Sequence, residues 1–155
     1  MSPPYVAVVG PGDADAEAER DAETAGRILA GHGAVVVCGG LGGAMAAACR
    51  GARAAGGLTV GLLPGADRSA ANPWVTVAIP TGLGELRNGL VVRSADGVLA
   101  VRGGYGTLSE IALALKLGRP VVGLGTWDID LVASMHDAAA AARRILELVT
   151  EPAQN

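Results

Sequence analysis

Two charged side chains follow glycine-rich turns in this chain. Glu110 comes just after Gly103-Gly104-Tyr105-Gly106-Thr107, and Arg87 just after Thr81-Gly82-Leu83-Gly84. An arginine offers planar, paired donors that suit a phosphate or a departing heterocyclic base. A carboxylate beside a held sugar phosphate can stabilise an oxocarbenium-like transition state or position water, by analogy with glycoside cleavage. Each residue also has a plainer reading. Glu110 lies three residues after Thr107, the spacing of a capping box in which the carboxylate only satisfies a backbone donor. Arg87 could instead be a solvated helix residue, or pair with Glu85 or Glu110 in a surface ion pair that contributes roughly 0 to 1 kcal/mol.

The turns themselves are the second chemical signal. Gly10-Pro11-Gly12, Gly39-Gly40-Leu41-Gly42-Gly43, Thr81 to Gly84 and Gly103 to Thr107 each follow a run rich in Val and Leu. Glycine lets backbone N–H groups approach an anion closely, and the start of the next helix adds unpaired donors and partial positive charge. One such turn is an ordinary strand-to-helix connection. Four on one rim of a sheet predict a phosphate cradle, to which Gly10, Gly12, Gly39, Gly40, Gly42, Gly43, Gly103, Gly104, Tyr105, Gly106 and Thr107 contribute. The first turn lacks the third glycine of the dinucleotide fingerprint, and no GxxxxGK[ST] sequence occurs.

Other polar groups carry less. Ser134, His136 and Asp137 are adjacent in sequence and fit a helix start better than a catalytic triad. Asp128 and Asp130 read as a solvated turn rather than a cation site. His32, between two glycines, reads as a helix cap or surface residue, and Arg102 as either a second cation at the phosphate loop or a solvent-facing side chain. Cys38 and Cys49 have no ligand spacing and are expected to pack as buried thiols, which fits a reducing cytosol. No metal site is expected.

The elements that must position these residues are legible from hydropathy. Runs at Tyr5–Val9, Ala34–Cys38, Leu58–Leu62, Val75–Ile79, Gly97–Val101 and Pro120–Leu124 are mostly continuous, as for strands buried on both faces. Between them lie helical spacings: Ala18, Ala22, Ala25 and Leu29; Met45, Ala48, Cys49, Ala52 and Ala55; a segment from about Glu85 to Ser94; the stripe Leu108, Ile111, Ala112 and Leu115; and a last helix from roughly Asp137 to Val149. This alternation predicts an α/β fold, a Rossmann-like parallel sheet with helices on both faces in three α/β/α layers. The link Pro64 to Trp74 shows no clear helix. It is expected to be the long crossover that starts the second half of the sheet, which would put the ligand crevice beside strands one and four.

At 155 residues the chain suits one domain, residues 1–150, followed by a frayed tail at 151–155. Half of the residues are apolar, yet Phe is absent, so the core must be built from Val, Leu, Ile and Ala. The net charge of −3, with no basic stripe, argues against nucleic acid as a partner. The first residues do not resemble a signal peptide, and no stretch approaches the roughly 18 apolar residues of a membrane span. A cytoplasmic protein with no membrane partner is expected.

The run Arg102-Gly103-Gly104-Tyr105-Gly106-Thr107-Leu108-Ser109-Glu110 resembles the PGGxGTxxE signature of the LOG family, once misnamed lysine decarboxylases. Arg87 stands where that family has its second signature arginine, and Cys38 to Met45 resembles its earlier GGG-containing loop. The resemblance implies a Rossmann-like homodimer binding a nucleotide-like phosphorylated small molecule, with Arg87 and Glu110 catalytic and Met45 and Asn88 joining the nucleotide-binding residues. Characterised members hydrolyse the N-glycosidic bond of nucleoside 5′-monophosphates, with no cofactor required. Relatives carry the molybdenum cofactor as a ligand without hydrolysing a nucleotide, or act as nucleotide sensors. Here Arg102 replaces the signature proline, Ser109 the first acid of a Glu-Glu pair and Asn88 a frequent lysine, and the carboxyl-terminal helices of the hydrolases are missing. These departures resemble the small bacterial branch and its cofactor-carrier relatives.

Overall fold

A computed structural model describes residues 2–151 of the chain. The tail expected at 151–155 therefore lies outside the described residues, Glu151 excepted. Seven strands form one parallel sheet: β1 (Tyr5–Val9), β2 (Val35–Cys38), β3 (Thr59–Leu63), β4 (Val77–Pro80), β5 (Gly97–Val101), β6 (Val121–Leu124) and β7 (Val132–Met135). Their spatial order is β4-β3-β2-β1-β5-β6-β7. The helices are α1 (Ala16–Gly31), α2 (Ala44–Ala54), α3 (Arg87–Arg93), α4 (Tyr105–Lys116) and α5 (Ala138–Thr150), with short 3-10 turns at Arg68–Ala70 and Gly84–Leu86.

The central strands β2 and β5 are buried at every position, as their unbroken apolar runs require. On one face Val6, Val8, Val36 and Leu99 pack against α1, α2 and α5. On the other, Ala7, Val9, Val98 and Ala100 pack against Val91 and Val92 of α3 and Ile111 and Ala114 of α4. This is the expected three-layer α/β/α arrangement. Each fully buried Val, Leu or Ile contributes about 1.5–3 kcal/mol, so the absence of Phe is made up by number. Helices α1 and α2 touch backbone to backbone. A β carbon at Gly51 would stand 2.0 Å from the Glu23 carbonyl oxygen, and one at Gly26 2.1 Å from that of Ala48.

Three expectations are corrected. First, β4 pairs with β3 and extends the first half of the sheet outward. The return crossover is therefore the next link, through α3, and the strand order reverses between β1 and β5 rather than beside the fourth strand. The 64–76 link forms only one 3-10 turn and returns the chain to the free edge of β3. Second, the half-buried Val132–Met135 is a seventh strand, too short and mixed to show in hydropathy, and it carries Ser134. Asp137 caps the helix after it, accepting from the Ala140 amide at 2.8 Å. Third, α4 is rotated from its predicted stripe and buries Thr107, Glu110, Ile111 and Ala114. No helix among the described residues is long and apolar enough to cross a membrane.

Candidate active and binding site

A cavity of about 210 Å³ opens at the carboxyl ends of β1 and β5, where the strand order reverses. This is where connections leave on opposite faces of an open α/β sheet and a crevice must form. Gly10, Pro11 and Gly12 line one wall beyond β1, Gly39 and Met45 another, and Gly104, Gly106 and Thr107 a third at the start of α4. Arg87 and Asn88 of α3 and Glu110 of α4 also face it. The Thr81 to Gly84 turn does not line the cavity; it contributes by launching the helix that brings Arg87 in.

The remaining glycines of the turns shape the cradle without facing it. Gly43 adopts φ +62, and a side chain there would meet the Pro11 carbonyl oxygen at 2.4 Å, so this position lets the second turn close over the first. The Ala44 amide then donates to that same carbonyl at 3.0 Å. The Gly40 amide is engaged with the Cys38 sulfur at 3.3 Å and is buried under Leu63. Gly42 and Gly103 do not line the cavity. Tyr105 turns away and stacks on Trp127, with ring centroids 6.0 Å apart.

The charged pair is the least ordinary feature. Glu110 is only 8% exposed, and no hydrogen bond to its carboxyl occurs among the described residues. The helix cap is Gly104, with no side-chain cap bond, so the capping-box reading fails: Glu110 lies well inside the helix. Burial raises its carboxyl to about 7, against the opposing pull of the Arg87 cation. Arg87 donates to the Asn88 side-chain oxygen and, at 3.4 Å, to the Gly39 carbonyl. Its Nε is buried without a partner. The ion pairs among the described residues belong to Arg50, Arg102 and Arg144, so Arg87 makes none with Glu85 or Glu110.

Arg102 serves neither of its expected roles. Its guanidinium pairs with Asp21 at 2.9 Å and Glu17 at 3.4 Å on α1 and donates to the Leu124 carbonyl at 3.2 Å. Its backbone takes φ +53, and its amide donates to Leu124. Sequence reasoning missed Trp127, whose Nε1 donates to the Gly104 carbonyl at 3.1 Å and tethers the start of α4. It also missed Asn72, which holds the second turn through the Leu41 carbonyl at 2.9 Å. A tryptophan in the loop after β6, in a chain with only two, was the available signal for the first; nothing marked the second. Among the described residues no group of three or more His, Cys, Asp or Glu is arranged to hold a metal ion.

Such a cavity has the parts to hold an anion: backbone amides at a helix start, an incompletely satisfied guanidinium, and a carboxyl whose burial favours the protonated form. Likeness to known proteins extends over nearly the whole chain. The model of the SLOG cluster4 family matches residues 3–154. The structure of the molybdenum cofactor binding protein from the phototrophic bacterium Rippkaea orientalis superposes with a TM-score of 0.91 at 36% identity, covering 97% of this chain and 99% of that one. The molybdenum cofactor carrier protein of Chlamydomonas reinhardtii gives 0.86 at 34% identity, covering 96% and 99%. An uncharacterized protein of Archaeoglobus fulgidus is 43% identical over 119 residues, 77% of this chain and 78% of its own.

Proposed function

The chain belongs to the SLOG cluster4 family, and from that premise we propose that it is a carrier of a phosphorylated pterin-type ligand, the molybdenum cofactor being the leading candidate. The observation that carries this reading is the buried, unpartnered Nε of Arg87 in a cavity walled by glycine turns. An unsatisfied buried donor on a cation costs roughly 1–3 kcal/mol or more, and an anionic ligand removes that cost. The likeness to the Rippkaea and Chlamydomonas proteins supports the same ligand class.

In this reading Arg87 clamps one edge of the phosphate, with Asn88 fixing the guanidinium plane. The free amides in the first turn of α4 donate to the other edge, since that helix start has no side-chain cap. Protonated Glu110 donates a hydrogen bond to a phosphate oxygen; once ionised it repels the anion. The ligand's organic end lies outside this small cavity, toward the rim. The cofactor's metal chemistry stays with the cargo, and the protein binds and shields. We propose a homodimer as the working form, through exposed Val77, Ile79 and Leu90, to be checked by light scattering.

The test is ligand identity. Protein purified under anaerobic, mild conditions is expected to release a phosphorylated pterin detectable by mass spectrometry. Loading the protein with the cofactor is expected to raise its melting temperature, as binding to the folded state alone requires. No shift with cofactor, alongside a clear shift with an unrelated anionic ligand, rejects the carrier reading.

One observation favours a second reading, N-glycosidic hydrolysis of nucleoside 5′-monophosphates: Glu110 and Arg87 share one cavity, as a ribose-stabilising carboxylate and a phosphate clamp would. Incubation with AMP, following free adenine, is the check. Turnover abolished in Glu110→Gln supports hydrolysis; no turnover sinks it.

A further inference from the structure

A second hollow, of about 360 Å³, adjoins the cavity and shares Asn88 and Gly106 with it. Its other walls are Glu85, Leu86, Tyr105 and Ser109. The two spaces differ in character. The inner one is polar, ringed by backbone, and too small for most whole ligands, which occupy roughly 300–1,000 Å³. The outer one presents two large exposed side chains: Tyr105 is 83% exposed and Leu86 78%.

Tyr105 is held ready rather than loose. Trp127 stacks against it at 6.0 Å, is itself tied to the Gly104 carbonyl at 3.1 Å, and does not line the hollow. Trp127 thus backs the tyrosine and leaves the groove side of it free. An aromatic wall fixed in this way loses little freedom when a flat ring stacks on it. Ser109 also lines the groove, with its hydroxyl donating to the Gly106 carbonyl of its own helix at 2.6 Å. Glu85 makes no ion pair among the described residues and offers a carboxylate, an acceptor only, at the groove.

We infer that this groove binds a planar, amino-substituted nitrogen heterocycle, with its face on Tyr105 and its N–H edge donating to the Glu85 carboxylate. The inference rests on the phosphate reading of the inner cavity, because the heterocycle is the other end of the same molecule, joined to its phosphate past Asn88 and Gly106. Two adjacent donors on a 2-amino-4-oxo pyrimidine edge match the two oxygens of a carboxylate. Glu85 is then the specificity-determining residue and Tyr105 the affinity-determining one.

The experiment compares three probes by isothermal titration on the full chain: ribose 5-phosphate, which has no ring; purine riboside 5′-monophosphate, which has a ring but no amino edge; and guanosine 5′-monophosphate, which has both. Affinity is expected to rise at each step, by about tenfold for the ring, as stacking of a base on an aromatic side chain gives. Tyr105→Ala, a change at an exposed position that leaves the core untouched, is expected to erase the gain from the ring while leaving ribose 5-phosphate within twofold. Glu85→Gln is expected to lower guanosine 5′-monophosphate affinity alone. Equal affinity for all three probes, or equal loss for all three in Tyr105→Ala, overturns the inference and leaves the phosphate cradle standing. Failure of every probe, ribose 5-phosphate included, overturns the cradle and this inference with it.

Discussion

Gly39 and Arg87 are fitted to one another: a β carbon on Gly39 would stand 2.6 Å from the Arg87 Nη2 and 2.8 Å from the Met45 sulfur. The Gly39 carbonyl in turn accepts from the same guanidinium at 3.4 Å. The end of β2 therefore sets where the cation of α3 rests. Gly39→Ala is expected to keep the fold, at a cost of about 1–3 kcal/mol, because the colliding atoms end flexible side chains. The displaced guanidinium should lower ribose 5-phosphate affinity at least about tenfold, the equivalent of one charge-assisted hydrogen bond. Titration calorimetry beside urea unfolding reads both quantities, and unchanged affinity would remove Arg87 from the cradle.

Glu110 makes stability depend on pH in an unusual direction. Its carboxyl titrates at about 7 in the folded protein against an ordinary 4.5. Between those values the folded state holds a proton that the unfolded chain has released, so stability is full below about 4.5 and falls as pH rises through about 7. Glu110→Gln should flatten this slope and make the protein more stable at pH 8 by an amount on the order of 2 kcal/mol. Denaturant titrations from pH 5 to 8 test it; an unaltered slope in the variant disproves it. Anion affinity in the native protein should decline over the same rise in pH.

Arg102 belongs to a different neighbourhood from Arg87, although both flank glycine turns. Its partners are on α1, and its side chain is 28% exposed. Arg102→Ala is expected to cost about 1 kcal/mol of stability, as for a partly buried ion pair, while changing ribose 5-phosphate affinity less than twofold. A loss of binding equal to that of Arg87→Ala would bring it back into the site.

Cys38 and Cys49 lie fully buried with their sulfurs 3.4 Å apart. The neighbouring sulfur and then burial hold the Cys38 thiol above its usual range. An alkylating reagent at neutral pH is therefore expected to leave the native protein unlabelled and to modify two thiols in denaturant. Rapid native labelling, followed by mass spectrometry, would contradict the packing around β2 and α2.

Much of this architecture was open to reading, for identifiable reasons. Strands such as Val35–Cys38 are unbroken apolar runs, and helix α1 keeps its Ala18, Ala22, Ala25 and Leu29 spacing because all four reach the core. What eluded reading was anything decided by distance in space. The stripe on α4 was taken from its apolar residues, yet the helix turns Thr107 and Glu110 inward, since the cavity rather than the core faces that side. The order reversal beside β1 depends on which edge β4 joins, and no local pattern encodes that choice. Arg102 and Arg87 look alike in sequence; only α1 supplies the acids that claim the first.

The left-handed backbone at Arg102 gives this chain's departure from the PGGxGTxxE pattern a stereochemical meaning. A pyrrolidine ring locks its residue near φ −65 and removes the amide hydrogen. Here the torsion has the opposite sign, and that hydrogen is already committed to the neighbouring strand. Arginine and proline at this point are thus not interchangeable letters of a motif, but alternatives that demand two routes of the peptide into the glycine pair. Any graft of the proline form into this loop must reroute the main chain before it can present the same amides to a ligand.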